Sequence, residues 1–378
     1  MKKCVVFPVS MKNVGILYHF TELSIALYQG LKDDPNIDLF LISEHGEQNP
    51  GLWEKLQKFV PDDCISKHQN SAEFSSFVEN KIVSGHYETV IYLSQGIVQF
   101  LDAIKLKKKY KDKLWLYTRL NSFKHGTFYR GLLTFFLSFI FKRYADFVNF
   151  QCEGTVRIFK NSTSLFRAGK AGIIPLGLSV EEDLAPSDSE LTALLENPAA
   201  KNVVYLANFH KHKRQSDLIL YMKEFLLENR NLNLILLGEG LRFEDCKSQA
   251  VKYGLEEQVH FPGRVHRKYV PYILRRSDLS IVFSEVETFG HNILEPLFYG
   301  SPVISSNVGI ASDVIKDFNN GALLCSTSQN EFRIKAGPYL GLGQFGDRSS
   351  IKQIARDTYS WEVVVRQYKA MFSQVGQN

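Results

Sequence analysis

Ser284-Glu285-Val286-Glu287-Thr288-Phe289-Gly290-His291-Asn292-Ile293-Leu294-Glu295-Pro296-Leu297-Phe298-Tyr299-Gly300-Ser301-Pro302-Val303 is the stretch on which the fold turns. The apolar residues just before it, Leu279 to Phe283, predict a buried strand. Gly290 permits a tight turn, and Asn292 to Tyr299 predict a helix stopped by Gly300. This order places Glu287 in the turn and Glu295 on the helix. The backbone N–H groups of Gly290 to Ile293 and the positive end of the helix dipole together favour a diphosphate. A carboxylate on either side suits sugar hydroxyls. The plainer alternative is an ordinary strand, turn and helix with both glutamates in solvent.

Outward from that unit, short apolar runs alternate with helix-length segments. Cys4 to Val9, Ile37 to Ile42, Thr89 to Leu93, Leu114 to Thr118, Phe147 to Phe150 and Gly172 to Pro175 predict one series of strands. After the polar stretch Glu181 to Glu196 a second series follows: Val203 to Ala207, Leu232 to Leu237, Val259 to Phe261, Leu279 to Phe283, Val303 to Ser305 and Ala322 to Cys325. The expectation is an α/β chain of two doubly wound, Rossmann-like units that face one another across an interdomain cleft. Gly337 to Arg348, rich in glycine, predicts an irregular loop before the final helices.

Composition narrows the function classes. A chain of 378 residues with 44% hydrophobic content suits two medium domains with proper cores. A formal charge of +5, with no zinc-finger, recognition-helix or RNA-binding aromatic pattern, argues against a nucleic-acid partner. Five scattered cysteines without Cys-x-x-Cys spacing indicate neither a disulfide framework nor a zinc site, and they suit a reducing cytoplasm. Met1 to Val9 reads as a first strand rather than a secretion signal.

The Glu-x7-Glu spacing inside Glu-x-Phe-Gly, followed by Gly-x-Pro-Val, resembles the donor-site signature of the retaining glycosyltransferases of family 4 (glycosyl transferases group 1), which have the GT-B fold. The likeness extends through Ile173 to Gly177, Asn202 to Lys213, Leu237 to Gly240, Val259 to Arg264 and Tyr359-Ser360-Trp361. It implies an acceptor-binding domain over residues 1–182, joined by a helix over 362–378 that crosses back, and a donor-binding domain over 183–361. It implies transfer of a sugar from a UDP-, GDP- or ADP-sugar to a glycan or lipid-linked saccharide acceptor, as in surface polysaccharide synthesis. Retention then proceeds by attack on the face from which the diphosphate leaves, without a protein nucleophile.

Carried over residue by residue, the resemblance assigns Glu287 to the donor sugar and Glu295 to both ribose hydroxyls, with Phe289, Gly290, His291, Asn292 and Ile293 around the diphosphate. Lys213 matches the family's lysine, and with Glu287 it forms the expected catalytic pair. Asn208 stands where the family carries an arginine, Ala207 where it carries a glycine, and Arg214 where it carries a second glycine. Lys211, Arg214 or Arg264 are candidates to supply the missing cation. Arg264 and Val265 fall where relatives hold the base, and Gly15, in the loop after the first strand, can approach the diphosphate. Arg119, Asn121 and His125, after the strand Leu114 to Thr118, are candidates for acceptor contacts. No metal site and no cofactor beyond the nucleotide sugar are expected, although Glu285 and Glu287 form a Glu-x-Glu pair worth a chelation test.

Lys105 to Lys113 is strongly basic, and Leu132 to Phe141 is apolar but too short to span a bilayer. Two readings stand side by side: a helix buried in its domain, or an aromatic face resting on the inner surface of an anionic membrane. Function has alternatives as well: a small soluble acceptor, a silent protein that only binds nucleotide sugars, or an epimerase on the same fold.

Overall fold

The computed structural model describes every residue except 1, 11–13, 45–49, 69–70, 95–96, 121–127, 160–161, 317–318, 342–345 and 376–378. The chain divides into two units, Met1–Gly177 with Tyr359–Asn378, and Leu178–Thr358. The division falls a few residues to the N-terminal side of the expected 182/183 and 361/362 boundaries.

The first unit holds seven strands: β1 (Lys2–Ser10), β2 (Ile37–Glu44), β3 (Ile65–His68), β4 (Tyr87–Ser94), β5 (Leu114–Arg119), β6 (Phe147–Phe150) and β7 (Ala171–Ile173). They lie in the order β3-β2-β1-β4-β5-β6-β7, and every pair is parallel. Cys4, Val5, Val6 and Phe7 are all fully buried, so both faces of β1 are covered, which is why its sequence is continuously apolar instead of alternating. β3 has no counterpart in the strand expectation. It is a four-residue edge strand, Ile-Ser-Lys-His, whose short polar sequence leaves little hydrophobic signal.

The second unit repeats the plan with β8 (Lys201–Leu206), β9 (Leu232–Leu237), β10 (Val259–Gly263), β11 (Leu279–Val282), β12 (Val303–Ser306) and β13 (Gly321–Leu324). Their order is β10-β9-β8-β11-β12-β13, again all parallel. Both sheets reverse their strand order once, between β1 and β4 and between β8 and β11. Loops at the carboxyl ends of strands flanking such a switch point are where open α/β sheets bind ligands. In the second unit the loops after β8 and β11 are fully described.

Two expectations change. Gly337 to Arg348 is not an irregular loop throughout: helix Gln329–Leu340 runs through Gly337 and Pro338, and helix Arg348–Tyr359 starts at the far end of the stretch. Tertiary contacts override the breaker residues, because Tyr339 and Leu340 are buried and the Tyr339 hydroxyl donates to the Gly321 carbonyl at 2.5 Å. The apolar stretch ending at Phe141 lies on helix Phe128–Tyr144, and of its described side chains Leu137, Ser138 and Phe141 are buried while Phe135, Phe136 and Phe139 are 41%, 56% and 58% exposed. Burial therefore accounts for only one side of it. In the basic run Lys105, Lys108, Lys109, Lys111 and Lys113 are exposed, whereas Lys107 is half-buried and pairs with Asp146 at 2.6 Å.

Candidate donor site

The loops after β8 and β11 bring Lys213 and Glu287 together at the switch point of the second sheet. Glu287 Oε1 accepts from Lys213 Nζ at 2.5 Å, from Ser284 Oγ at 2.8 Å and from Asn292 Nδ2 at 3.2 Å. Both charged side chains are largely buried, which strengthens the attraction and makes the pairing obligatory. Beneath them the Tyr205 hydroxyl lies 2.9 Å from both the Lys213 carbonyl and Ser284 Oγ. Burial, with the Glu287 charge adding to it, pushes the Tyr205 phenol far up, so it stays neutral. The Ser306 hydroxyl, on β12, donates to the Ser284 carbonyl at 2.5 Å and ties the turn to the sheet.

Gly290 takes φ 89° at the start of helix His291–Phe298, a left-handed conformation that favours glycine, and a Cβ there would also press on Ile293 Cδ1 at 2.7 Å. The helix ends as the sequence predicts. The N–H of Ser301 donates to the Pro296 carbonyl at 2.8 Å and that of Gly300 to Leu297 at 3.0 Å, with Gly300 at φ 86°, a Schellman closure. Of the amides expected to face a diphosphate over Gly290 to Ile293, that of Ile293 is already used, because its N–H turns back to the Gly290 carbonyl at 2.9 Å. Ile293 and Phe289 are buried, so their side chains support the turn from below. His291 is half-buried, with its ring 5.0 Å from that of Phe289.

Glu295, on the same helix, is 5% exposed, and its Oε1 meets Arg267 Nη2 at 2.5 Å. Arg267 belongs to the short turn Arg267–Tyr269 after β10. Sequence reasoning missed it: the run Arg264 to Lys268 shows several cations, and only the turn geometry selects the one that points at Glu295. Arg264 is exposed instead, and Val265 packs against the cluster formed by Val204, Ile235 and Leu237. Burial and the charge of Glu181 push the Tyr299 phenol up to about 12, with Glu295 raising it and Arg267 lowering it, which marks Tyr299 as a neighbour of this pair.

The loop after β8 also answers the question of the substituted positions. Asn208 is exposed, and its carbonyl, like that of Ala207, accepts from the buried Gln215 Nε2. Gly238 approaches Ala207 so closely that a Cβ would sit 2.3 Å from its carbonyl oxygen. Arg214 has φ 56°, the one positive φ outside glycine among the described residues. Its side chain pairs with Asp217 at 2.6 Å and lies 5.1 Å over the Phe283 ring, so it is committed to its own helix and does not replace a missing cation. Lys211 is exposed. Glu285 is exposed too, separate from the bonded Glu287 carboxylate, and its N–H donates to the His212 carbonyl at 2.7 Å.

In the first unit, Gly15 lies in the opening turn of helix Val14–Leu31. Asn121 and His125 lie outside the described residues. Arg119 does not reach toward solvent as an acceptor ligand would: it is fully buried and donates to the Tyr368 hydroxyl on helix Trp361–Gln374. Among the described residues no group of His, Cys, Asp and Glu is arranged to hold a metal, and no helix is long and apolar enough to cross a membrane.

Comparison with known proteins bears on this geometry. The family model described as glycosyl transferases group 1 matches residues 188–335. The N-acetyl-alpha-D-glucosaminyl L-malate synthase of Bacillus anthracis is 31% identical over 123 residues, 32% of each chain. The 2-deoxystreptamine N-acetyl-D-glucosaminyltransferase of Niallia circulans is 28% identical over 114 residues, 30% of this chain and 29% of that one. The chain thus spans about a third of the length of these curated relatives. Solved structures cover it end to end: Anabaena Alr3699/HepE in complex with UDP superposes with TM-score 0.71 at 16% identity, over 99% of this chain and 100% of that one. The lipopolysaccharide outer core galactosyltransferase WaaB in its apo form gives 0.70 at 17% identity over the same shares. Residues 188–335 thus match the glycosyl transferases group 1 model, on a chain that has the two-domain fold of the GT-B glycosyltransferases.

Proposed function

We propose that the protein is a retaining glycosyltransferase of family 4 that moves a sugar from a nucleotide-diphosphate donor to a glycan acceptor in surface polysaccharide synthesis. The observation that carries this reading is the Lys213–Glu287 pair at the β8/β11 switch point, with Glu295 on the helix that leaves the same turn. As the anomeric bond to the diphosphate breaks, negative charge builds on the leaving oxygen, and the Lys213 ammonium stabilises it. Glu287, held in place by its three donors, accepts hydrogen bonds from the sugar hydroxyls. Glu295 takes the ribose hydroxyls. The acceptor hydroxyl bonds to the anomeric carbon on the face the diphosphate leaves, and its proton passes to the departing phosphate oxygen.

The matched malate and deoxystreptamine enzymes are named for N-acetylglucosaminyl transfer, and HepE is described with UDP, which makes a UDP-sugar the first donor to try. We read the transfer as metal-free, with Lys213 supplying the positive charge; activity that persists in excess chelator supports this, and loss restored by magnesium or manganese overturns it. A thermal-shift screen of UDP, GDP, ADP and their sugars, followed by product analysis, tests the whole reading. Stabilisation by one nucleotide and a glycoside product support it. Binding without transfer or hydrolysis points to the silent alternative, and an epimerised donor points to the isomerase.

The acceptor side is proposed to meet anionic lipid. Support comes from helix Phe128–Tyr144, where Phe135, Phe136 and Phe139 are exposed and Lys142 and Arg143 continue the same face in the last turn. Lys108 lies 5.3 Å over the Tyr144 ring, and the Lys170 ammonium is depressed by burial and by the charges of Lys107 and Arg143, so cations crowd this end of the helix despite Asp146. Aromatic rings beside cations match the interface of an anionic bilayer. Flotation with phosphatidylglycerol vesicles should recover the folded protein at low salt and lose it for Phe136→Ser with Phe139→Ser; no flotation of the wild type ends the proposal.

A further inference from the structure

The two carboxylates of the site are held in different ways. Glu287 is fixed by three donors drawn from its own turn, its own helix and the loop after β8. Glu295 is more deeply buried and relies on a single cation, Arg267, which arrives from the separate turn after β10. That turn is braced locally: the Lys268 N–H donates to His266 Nδ1 at 3.3 Å, and the Tyr269 N–H to the His266 carbonyl at 2.9 Å.

A buried carboxylate is costly unless a cation balances it, and hydrogen bonds from hydroxyls to a charged acceptor are stronger than those to a neutral one. Arg267 Nη2 meets Oε1 at 2.5 Å, which sets a balancing positive charge beside the buried carboxylate. We infer that Arg267 is a positioning residue that makes Glu295 a reader of ribose hydroxyls, and so determines the preference for ribonucleotide over 2′-deoxyribonucleotide donors. The inference rests on the reading of Glu295 as the ribose ligand.

Titration calorimetry tests it with whichever of UDP, GDP and ADP binds tightest, its 2′-deoxy counterpart and the parent nucleoside. Wild type should prefer the ribonucleotide by about tenfold or more, the size expected of a hydrogen bond to a charged group. Arg267→Met should bring that ratio close to one, as should Glu295→Gln. Arg267→Lys should restore most of it, while the ratio of diphosphate to nucleoside affinity stays at its wild-type value in all three. A purely structural role for Arg267 would shift the melting temperature and weaken every ligand alike. If Arg267→Met does not fold, the Arg267→Lys and Arg267→Gln ratios carry the comparison, with Gln expected near one. A wild type that binds no nucleotide, or does not discriminate at all, removes the reading of Glu295 beneath the inference. A discriminating wild type whose preference survives Arg267→Met overturns the inference alone. Selective loss of diphosphate affinity in Arg267→Met makes Arg267 a phosphate ligand and likewise overturns it.

Discussion

The two domains share one strand order and spend their charges differently. At the carboxyl ends of β8 and β11, Lys213 meets Glu287, and beyond β10 Arg267 meets Glu295 on helix His291–Phe298. In the first domain the charged residue closing β5, Arg119, is sealed inside and bound to Tyr368, whose hydroxyl also lies 3.0 Å from that of Tyr117. Other first-domain charges serve the same helix: Lys3 Nζ donates to the Phe372 carbonyl at 2.9 Å, and Lys369 pairs with Asp34 at 3.1 Å. Gly30 lets that helix approach, since a Cβ would lie 2.3 Å from Val365 Cγ1. A shared order of six strands, to which the first domain adds β7, therefore does not dictate how charge is used; the loops and their partners do.

The largest effect should come from breaking the structural use of charge. Arg119→Ala empties a fully buried site and removes the donor to the Tyr368 hydroxyl, and truncating a large buried side chain costs about 2–5 kcal/mol. The three tryptophans, Trp53, Trp115 and Trp361, all belong to the first domain, so fluorescence-detected urea unfolding reports that domain alone. Its midpoint should fall sharply, while nucleotide affinity, measured where the variant is still folded, should change little. A large loss of nucleotide affinity with an unmoved midpoint would reverse the assignment of Arg119.

The complementary change is Glu287→Gln. It keeps the shape but loses the charge that holds Lys213, and hydrogen bonds to charged groups are worth about 1.5–3 kcal/mol. A fall in kcat/KM of roughly 10- to 100-fold is expected, with the tryptophan-detected midpoint of the first domain unmoved. Lys213→Met should produce a similar fall, and the double variant should lose less than the sum, because the two act on each other. Additive losses, or wild-type kinetics, would remove the pair from the mechanism.

The contrast between the domains also explains what was legible beforehand. Strands such as Phe147–Phe150 and Leu232–Leu237 coincide with the expected ones, because strands buried on both faces read as nearly continuous apolar runs, each here broken only by one buried asparagine, Asn149 and Asn233. The acid spacing and Gly290 were legible for a related reason: a left-handed turn and a helix stop demand particular residues. β3 was hidden because an edge strand has little to bury. Arg267 was hidden in a basic loop and Arg119, the last residue of β5, was taken for an acceptor contact, because nothing in residue type separates a cation that faces a carboxylate from one that packs under a distant helix. Gly337 and Pro338 misled because the packing of Tyr339 outweighs local propensity.

The smallest expected effect tests the backbone of the donor loop. Arg214 sits where the resembling family carries glycine, and it adopts the left-handed conformation that glycine would take without strain. Arg214→Ala and Arg214→Gly lose the same contacts with Asp217 and Phe283. Only the glycine variant also relieves the φ of 56°, so the difference between the two isolates the backbone cost, about 1 kcal/mol. Calorimetric unfolding should therefore rank Gly above Ala by that amount, with Gly close to wild type because relief of strain offsets a half-exposed ion pair. Equal stability of the two would mean that the loop after β8 does not turn left-handed at this residue. The Lys213 carbonyl would then lose its fixed place above Tyr205, and the difference drawn between the two domains would rest on side chains alone.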